Sequence, residues 1–293
     1  MNERFSLGEF LKKFGTNEKC LEYVRRIKYP EGIFCQNCKE VTSFYKIKNR
    51  QVYQCSCGYQ IAPLAGTIFE KTTTPLQYWF YAIFLMSVTR SGISAKQLQR
   101  ELGVTYKTAW RMFKQIRMLM ADNSGNQLTG VVEVDETFVG GRGRNRRDWR
   151  QGVKEKEVLM GMVEREGKVH LKHIPNTGKW TLLKQIKDHI DPRAIVYTDE
   201  LQSYKNLNRY GYTHDSVAHG IKQYTKGEVH TQNIENFWSH FKRGIYGVYR
   251  VISPKYLQTY ADEYGWRYNN RNAGSGMFEL LLNRIAEVKV AKI

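Results

Sequence analysis

VVEVDETFVGG, Val131 to Gly141, is the stretch whose reading decides the fold of this 293-residue chain. An apolar run delivers two adjacent carboxylates, Asp135 and Glu136, and then breaks on paired glycines. On a strand of period two, Val132 and Val134 fall on one face and Glu133 and Asp135 on the other. A buried strand has little use for an acid, because a desolvated carboxylate is costly unless it is paired or bound to a cation. Asp135 therefore reads as the first member of a metal-binding carboxylate cluster, which the rest of the chain completes or supplies with a partner.

Downstream of this strand lies GRGRNRRDWRQGVKEKE, in which Arg142, Arg144, Arg146 and Arg147 head a run of cations. Such a run is usually a solvated loop; placed directly after an acidic strand it also suits phosphate contact. Residues 158–164 and 168–174 read as a hairpin turning at Glu166-Gly167. Leu182, Leu183, Ile186 and Ile190 make the apolar stripe of a helix. Residues 194–198 form a short strand that ends on Asp199-Glu200. In HTQNIENFWSHFKRGIYG, His230 to Gly247, the residues Ile234, Phe237, Trp238, Phe241 and Ile245 give a helix an apolar face. Glu235 and Lys242, seven residues apart, project within ~20° of each other on that helix. Asn236 lies ~100° round and shares the stripe less well. Strand with acid, hairpin, helix, strand with acid and helix with acid is the layout of an RNase H-like α/β domain, a mixed sheet with flanking helices, assigned to residues 128–285. Three converging carboxylates suit two divalent hard cations, which take oxygen ligands. Of the competing acids, Glu136 and Glu200 point away by strand alternation, whereas Glu133 shares the face of Asp135 and reads as a supporting group. His219 and His230, near these acids in the sequence layout, read equally as contacts for phosphate or water and as loop or core histidines.

The first 122 residues are built differently. Residues 1–30 read as one or two short helices. Cys20 stands apart there and reads as a small core residue. Cys35 and Cys38, followed by Cys55 and Cys57, can close a tetrahedron round one structural Zn²⁺. With the hairpin expected between them across Lys48-Asn49, this is a zinc-ribbon pattern over residues 31–70, although one residue rather than two separates the second pair. All four ligands are thiolates, so the ion has no open position for chemistry. Thr74-Pro75-Leu76-Gln77 predicts a helix capped by Thr74, buried on nearly all sides. Ser94 and Thr105 cap two further helices parted by Gly103, a helix-turn-helix pattern within residues 71–122. The second of these presents Lys107 and Arg111 early, where such a helix meets bases. Asp122 to Asn126 is polar and turn-rich, a natural boundary.

Composition narrows the partner. The formal charge is +18, and 19 Tyr, 13 Phe and 6 Trp supply stacking surface, which favours a polyanion such as nucleic acid. A hydrophobic share of 41% is that of a globular chain. The longest apolar run, Trp79 to Met86, is far short of the ~20 residues that span a bilayer. No signal peptide is visible, and the paired cysteines read as a metal site, so the expected location is the cytoplasm, in association with the nucleoid.

The motifs VEVDETFVGG, YTDE and HTxxIExFWxxxKRGIYG, with YPEGIFCQNC and GTIFEKT before them and WRYNNR after, resemble those of bacterial insertion-sequence transposases of the ISXO-like, zinc-ribbon group. The likeness covers nearly the whole chain. It implies a catalytic triad of Asp135, Asp199 and Glu235, dependence on Mg²⁺ or Mn²⁺, and binding to inverted-repeat DNA ends. Expected with it are end cleavage and strand transfer into target DNA. Some members of that group carry Asn as third catalytic residue, which keeps Asn236 as the alternative to Glu235. Lys242, Arg243 and the loop from Arg142 would then neutralise phosphates, and a dimer or higher oligomer would handle two ends together. Two other readings stand beside this one: a zinc-ribbon and helix-turn-helix regulator without chemistry, and a nuclease that cuts without joining.

Overall fold

The computed structural model describes residues 5–122, 125–140, 156–217 and 229–288. The chain divides into two units, Met1–Met120 with Ala273–Ile293, and Ala121–Asn272. The division falls beside the polar stretch from Asp122 to Asn126.

In the first unit, α1 (Leu7–Phe14) starts on a reciprocal capping pair, with Glu9 N–H donating to Ser6 Oγ and Ser6 N–H to Glu9 Oε2. It leads into α2 (Asn17–Lys28). Five short strands follow: β1 (Ile33–Cys35) pairs antiparallel with β2 (Glu40–Thr42), while β3 (Phe44–Lys46), β4 (Tyr53–Cys55) and β5 (Gln60–Ile61) form a second small sheet. The β3–β4 hairpin turns where the sequence predicts, with Asn49 at a φ of 61°.

The helix α3 (Leu76–Val88) is as buried as its composition implies, but its cap is not the predicted one. It begins behind Pro75 with no capping bond from Thr74. The Thr74 N–H is instead drawn to Thr72 Oγ1 (3.1 Å), an oxygen that also accepts from Trp79 Nε1 (2.9 Å). A distant residue caps the helix: Asn17 Oδ1 accepts from Gln77 N–H at 3.2 Å. Next, α4 (Ala95–Leu102) and α5 (Tyr106–Met118) are parted by Gly103 at a φ of 63°, the left-handed conformation that lets one helix end and the next start at once. Ser94 and Thr105 cap them as predicted.

The second unit is a five-stranded mixed sheet with helices on both faces. Its strands are β6 (Val131–Val139), β7 (Glu157–Glu164), β8 (Val169–Ile174), β9 (Ile195–Thr198) and β10 (Thr213–Ser216), in the spatial order β10-β9-β6-β7-β8. The β6-β7-β8 meander is antiparallel, and β9 and β10 join β6 in parallel. The helix α6 (Lys179–His189) packs on Val132, Val134, Met160 and Met162. The opposite face, with Val139, Leu159 and Val163, is covered by α7 (Gln232–Gly244) and α8 (Leu257–Asn269). The alternation of β6 thus sorts its side chains between two cores, with Asp135 on the α7 side.

One boundary needs correction. Residues 277–285, placed by sequence in the RNase H-like range, belong to α9 (Met277–Glu287), which lies in the first unit. There Phe278 packs against Phe10, Phe14 and Phe84, with ring centroids 5.6–6.0 Å apart. An apolar helix face docks wherever it buries most area, and an aromatic cluster offers much of it.

Candidate active site

The parallel register sets the two aspartates side by side. Val131 pairs with Ile195, Val132 with Val196 and Glu133 with Tyr197. Two residues further along both strands come Asp135 and Asp199, the latter just past the end of β9. Burial and the charge of Asp199 push the Asp135 carboxyl up to about 6, with a smaller push from Glu235. The Glu136 N–H and the indole of Trp238 act against this, Trp238 Nε1 donating to Asp135 Oδ2 at 3.0 Å. Asp199 is tied into its own turn, accepting from Leu201 N–H at 3.0 Å.

Glu235 stands in the first turn of α7, where Thr231 Oγ1 donates to its Oε1 at 2.8 Å. Glu133 holds that helix to the sheet. Its carboxylate is fully buried and accepts from the backbone N–H groups of Asn233 (2.8 Å) and Ile234 (3.2 Å) and from Asn233 Nδ2 (2.8 Å). Arg165 Nε donates to it at 2.9 Å, and His230 Nδ1 lies 3.2 Å away. A carboxylate at a helix N-terminus satisfies orphan donors and meets the positive end of the dipole. His230 is thus engaged with a protein carboxylate.

Trp238 reaches Asp135 because Gly161, cross-strand partner of Asp135, leaves room for it. A Cβ at Gly161 would sit 2.5 Å from Trp238 Cζ2 and 2.6 Å from Ile234 Cδ1. Glu136 occupies the other face, where the buried Tyr204 hydroxyl donates to it. Burial pushes the Glu136 carboxyl up to about 8, against the pull of that hydrogen bond and with added repulsion from Asp135 and Asp199.

Sequence reasoning does not find Trp238, Gly161, Arg165 or the Tyr204–Glu136 pair as site features. Only Gly161 leaves a signal, an isolated glycine inside an otherwise apolar strand.

The remaining candidates divide by place. Asn236 and Lys242 are exposed on α7, and Arg243 folds back along it, donating to Ser239 O at 3.2 Å. Lys107 and Arg111 are exposed on α5 in the first unit, where Arg111 donates to Glu70 O at 3.0 Å. Arg142, Arg144, Arg146, Arg147 and His219 lie outside the described residues.

Cys35, Cys38, Cys55 and Cys57 converge, with all four sulfurs within 4.8 Å of one another. Sγ separations of 3.4 Å for Cys35–Cys57 and 3.8 Å for Cys38–Cys55 match the spacing of about 3.8 Å set by tetrahedral Zn–S bonds. The set therefore fits a structural Zn²⁺. Among the described residues it is the one group of three or more potential ligands gathered so closely; the three acids are not drawn together to that degree.

Comparison with known proteins agrees with both halves of the chain. Residues 15–60 match the transposase zinc-ribbon domain, and residues 127–269 match the ISXO2-like transposase domain. A protein of Halobacterium salinarum described as an uncharacterized protein in transposable element ISH50 is 25% identical over 85% of this chain and 90% of its own length. An uncharacterized transposase-like protein of Haemophilus influenzae is 32% identical over 35% of this chain and 82% of its own. With a zinc ribbon ahead of an acid-bearing mixed sheet, the chain belongs to the ISXO2-like transposase family.

Proposed function

We propose that the second unit is an RNase H-like catalytic domain that cleaves the DNA ends of an insertion sequence and joins them to target DNA, with Asp135, Asp199 and Glu235 as its acids. The observation that carries this reading is the parallel register of β6 and β9, which brings Asp135 level with Asp199 at one end of the sheet. The strand order β10-β9-β6-β7-β8 supports the same reading, since it places both aspartates on adjacent parallel strands.

The donor set fits hard divalent cations. The acids are all-oxygen ligands, the kind such cations take, and Asp135, Asp199 and Glu235 would hold them. When bound, Mg²⁺ or Mn²⁺ would supply Lewis acidity toward the phosphate that is attacked. The protein's own contribution is placement. Glu133 fixes the start of α7, Trp238 orients the carboxylate of Asp135, and the apolar cores on both faces keep the acids on rigid elements. Lys242, on the same stripe of α7 as Glu235, serves to neutralise a DNA phosphate.

In the first unit, α4 and α5 serve as a helix-turn-helix, with Lys107 and Arg111 toward DNA, beside the ribbon that Zn²⁺ holds together. Two element ends handled together call for at least a dimer.

The test is Asp135→Asn with an end-containing duplex and Mg²⁺ or Mn²⁺. Loss of cleavage with DNA binding retained is expected; cleavage that persists with unchanged metal dependence refutes the site. A pre-cleaved end offered to the wild type separates joining from cutting alone. Glu235→Gln and Asn236→Ala decide the third residue, the first abolishing cleavage and the second sparing it.

A further inference from the structure

Trp180, the second residue of α6, is 70% exposed. Its ring is the largest apolar group a side chain offers, and leaving it in water forgoes most of the benefit of burial. Isolated exposed apolar residues are ordinary. Trp180 is not isolated. The ring of Tyr210 stands 6.2 Å from it at 74°. Lys179 Nζ lies 5.3 Å from the Trp180 ring centre and 5.2 Å from that of Tyr210, and Lys187 Nζ lies 5.3 Å from the Tyr210 ring. Helix α6 carries three lysines against one acid, Asp188.

The topology places this group near the acids. β8 runs in the same direction as β6 and β9, so α6, which connects the end of β8 to the start of β9, begins at the end of the sheet where β9 finishes. Asp199 follows β9 there. A hydrogen bond ties the two segments, with Ser203 Oγ, in the turn after Asp199, donating to Thr177 O at 2.8 Å.

We propose that Trp180 and Tyr210, flanked by Lys179 and Lys187, form a stacking platform for an unpaired base of a DNA strand held at the acids. The proposal rests on the phosphoryl-transfer reading above. An aromatic face stacks on any base, and ammonium groups beside it neutralise the adjoining phosphates. A paired base already stacks on its neighbours within the duplex, so the platform favours a strand opened at or near the reacting phosphate.

The experiment compares the full-length wild type with Trp180→Ala and Trp180→Phe on two probes, a single-stranded oligonucleotide carrying 2-aminopurine and a fully paired duplex of the same sequence. Trp180→Ala is expected to weaken single-strand binding roughly five- to a hundred-fold, the range of one stacked base, and to restore 2-aminopurine fluorescence that the wild type quenches. Trp180→Phe should retain most of the affinity, and duplex binding should change by less than about twofold. Because the ring is exposed, the variants are expected to unfold at the wild-type temperature. Unchanged single-strand affinity in Trp180→Ala overturns the platform and leaves the acid assignment standing. Equal losses on both probes also overturn it, while a wild type that binds neither DNA overturns platform and DNA reading together. Persistent cleavage by Asp135→Asn with a selective loss in Trp180→Ala would sink the acid assignment and uphold the platform.

Discussion

The carboxylate of Glu133, in the middle of the sheet, lies 2.8 Å from the backbone nitrogen of Asn233, two residues before Glu235. One buried acid thus caps the helix that carries a second, exposed acid, Glu235. Glu133→Ala removes the partner of Arg165, Asn233 and Ile234 at once and should destabilise the second unit by about 3–5 kcal/mol. Glu133→Gln keeps the shape but sets an amide against donors, with an expected loss of about 1.5–3 kcal/mol. Urea unfolding of both variants measures this; wild-type stability in Glu133→Ala would show that the cap contributes nothing.

Gly161→Ala is expected to unseat α7. Its new Cβ would meet Trp238 and Ile234 at 2.5–2.6 Å, so the helix must shift or the indole must leave Asp135. Overpacking of this kind destabilises by about 1–3 kcal/mol. Adding Trp238→Phe should recover part of the loss, and a double-mutant cycle with no coupling would contradict the contact.

Removal of zinc should act on the first unit alone. About one Zn²⁺ per chain is expected by atomic absorption, falling to near zero in Cys38→Ser. A strong chelator should lower the first unit's melting temperature while the second unit's transition stays in place.

Asp262 gives the chain a pH dependence separate from catalysis. Burial pushes its carboxyl up to about 6, opposed by the Gln258 amide and Lys172, from about 3.9 in an unfolded chain. The folded state therefore binds the proton more tightly, and stability falls as pH rises from about 4 through 6. Asp262→Asn retains an acceptor for Gln258 Nε2, which donates to Oδ1 at 2.8 Å. It should be more stable than the wild type by about 1–2 kcal/mol at pH 8, with the gap closing toward pH 4. Melting curves across that range check the sign.

The acids and the mixed sheet are legible in the sequence because periodicity carries them. Asp135 interrupts an apolar strand, Asp199 ends one, and Glu235 rides beside a helical apolar stripe. Trp238 is not legible, since its spacing is that of the core residues Phe237 and Phe241 and nothing local marks its N–H as bound for an acid. The strand β10, Thr213–Ser216, escapes for the opposite reason: four largely polar residues at a sheet edge show no alternation. Glu133 is half legible, its face being readable and its helix N-terminus, one hundred residues away, not. The destination of α9 is a tertiary matter, because an apolar stripe says that a helix docks and not on what.

That last helix has a consequence for biosynthesis. The unit with the four cysteines takes Phe278 into its aromatic cluster, and residues 121–272 intervene in the chain. A ribosome making this protein from its N-terminus completes the sheet first, since chains fold domain by domain as they emerge. The cysteine-bearing unit gains its Phe278 contacts only after α9 has left the exit tunnel, whereas all the strands of the sheet precede that helix in the chain.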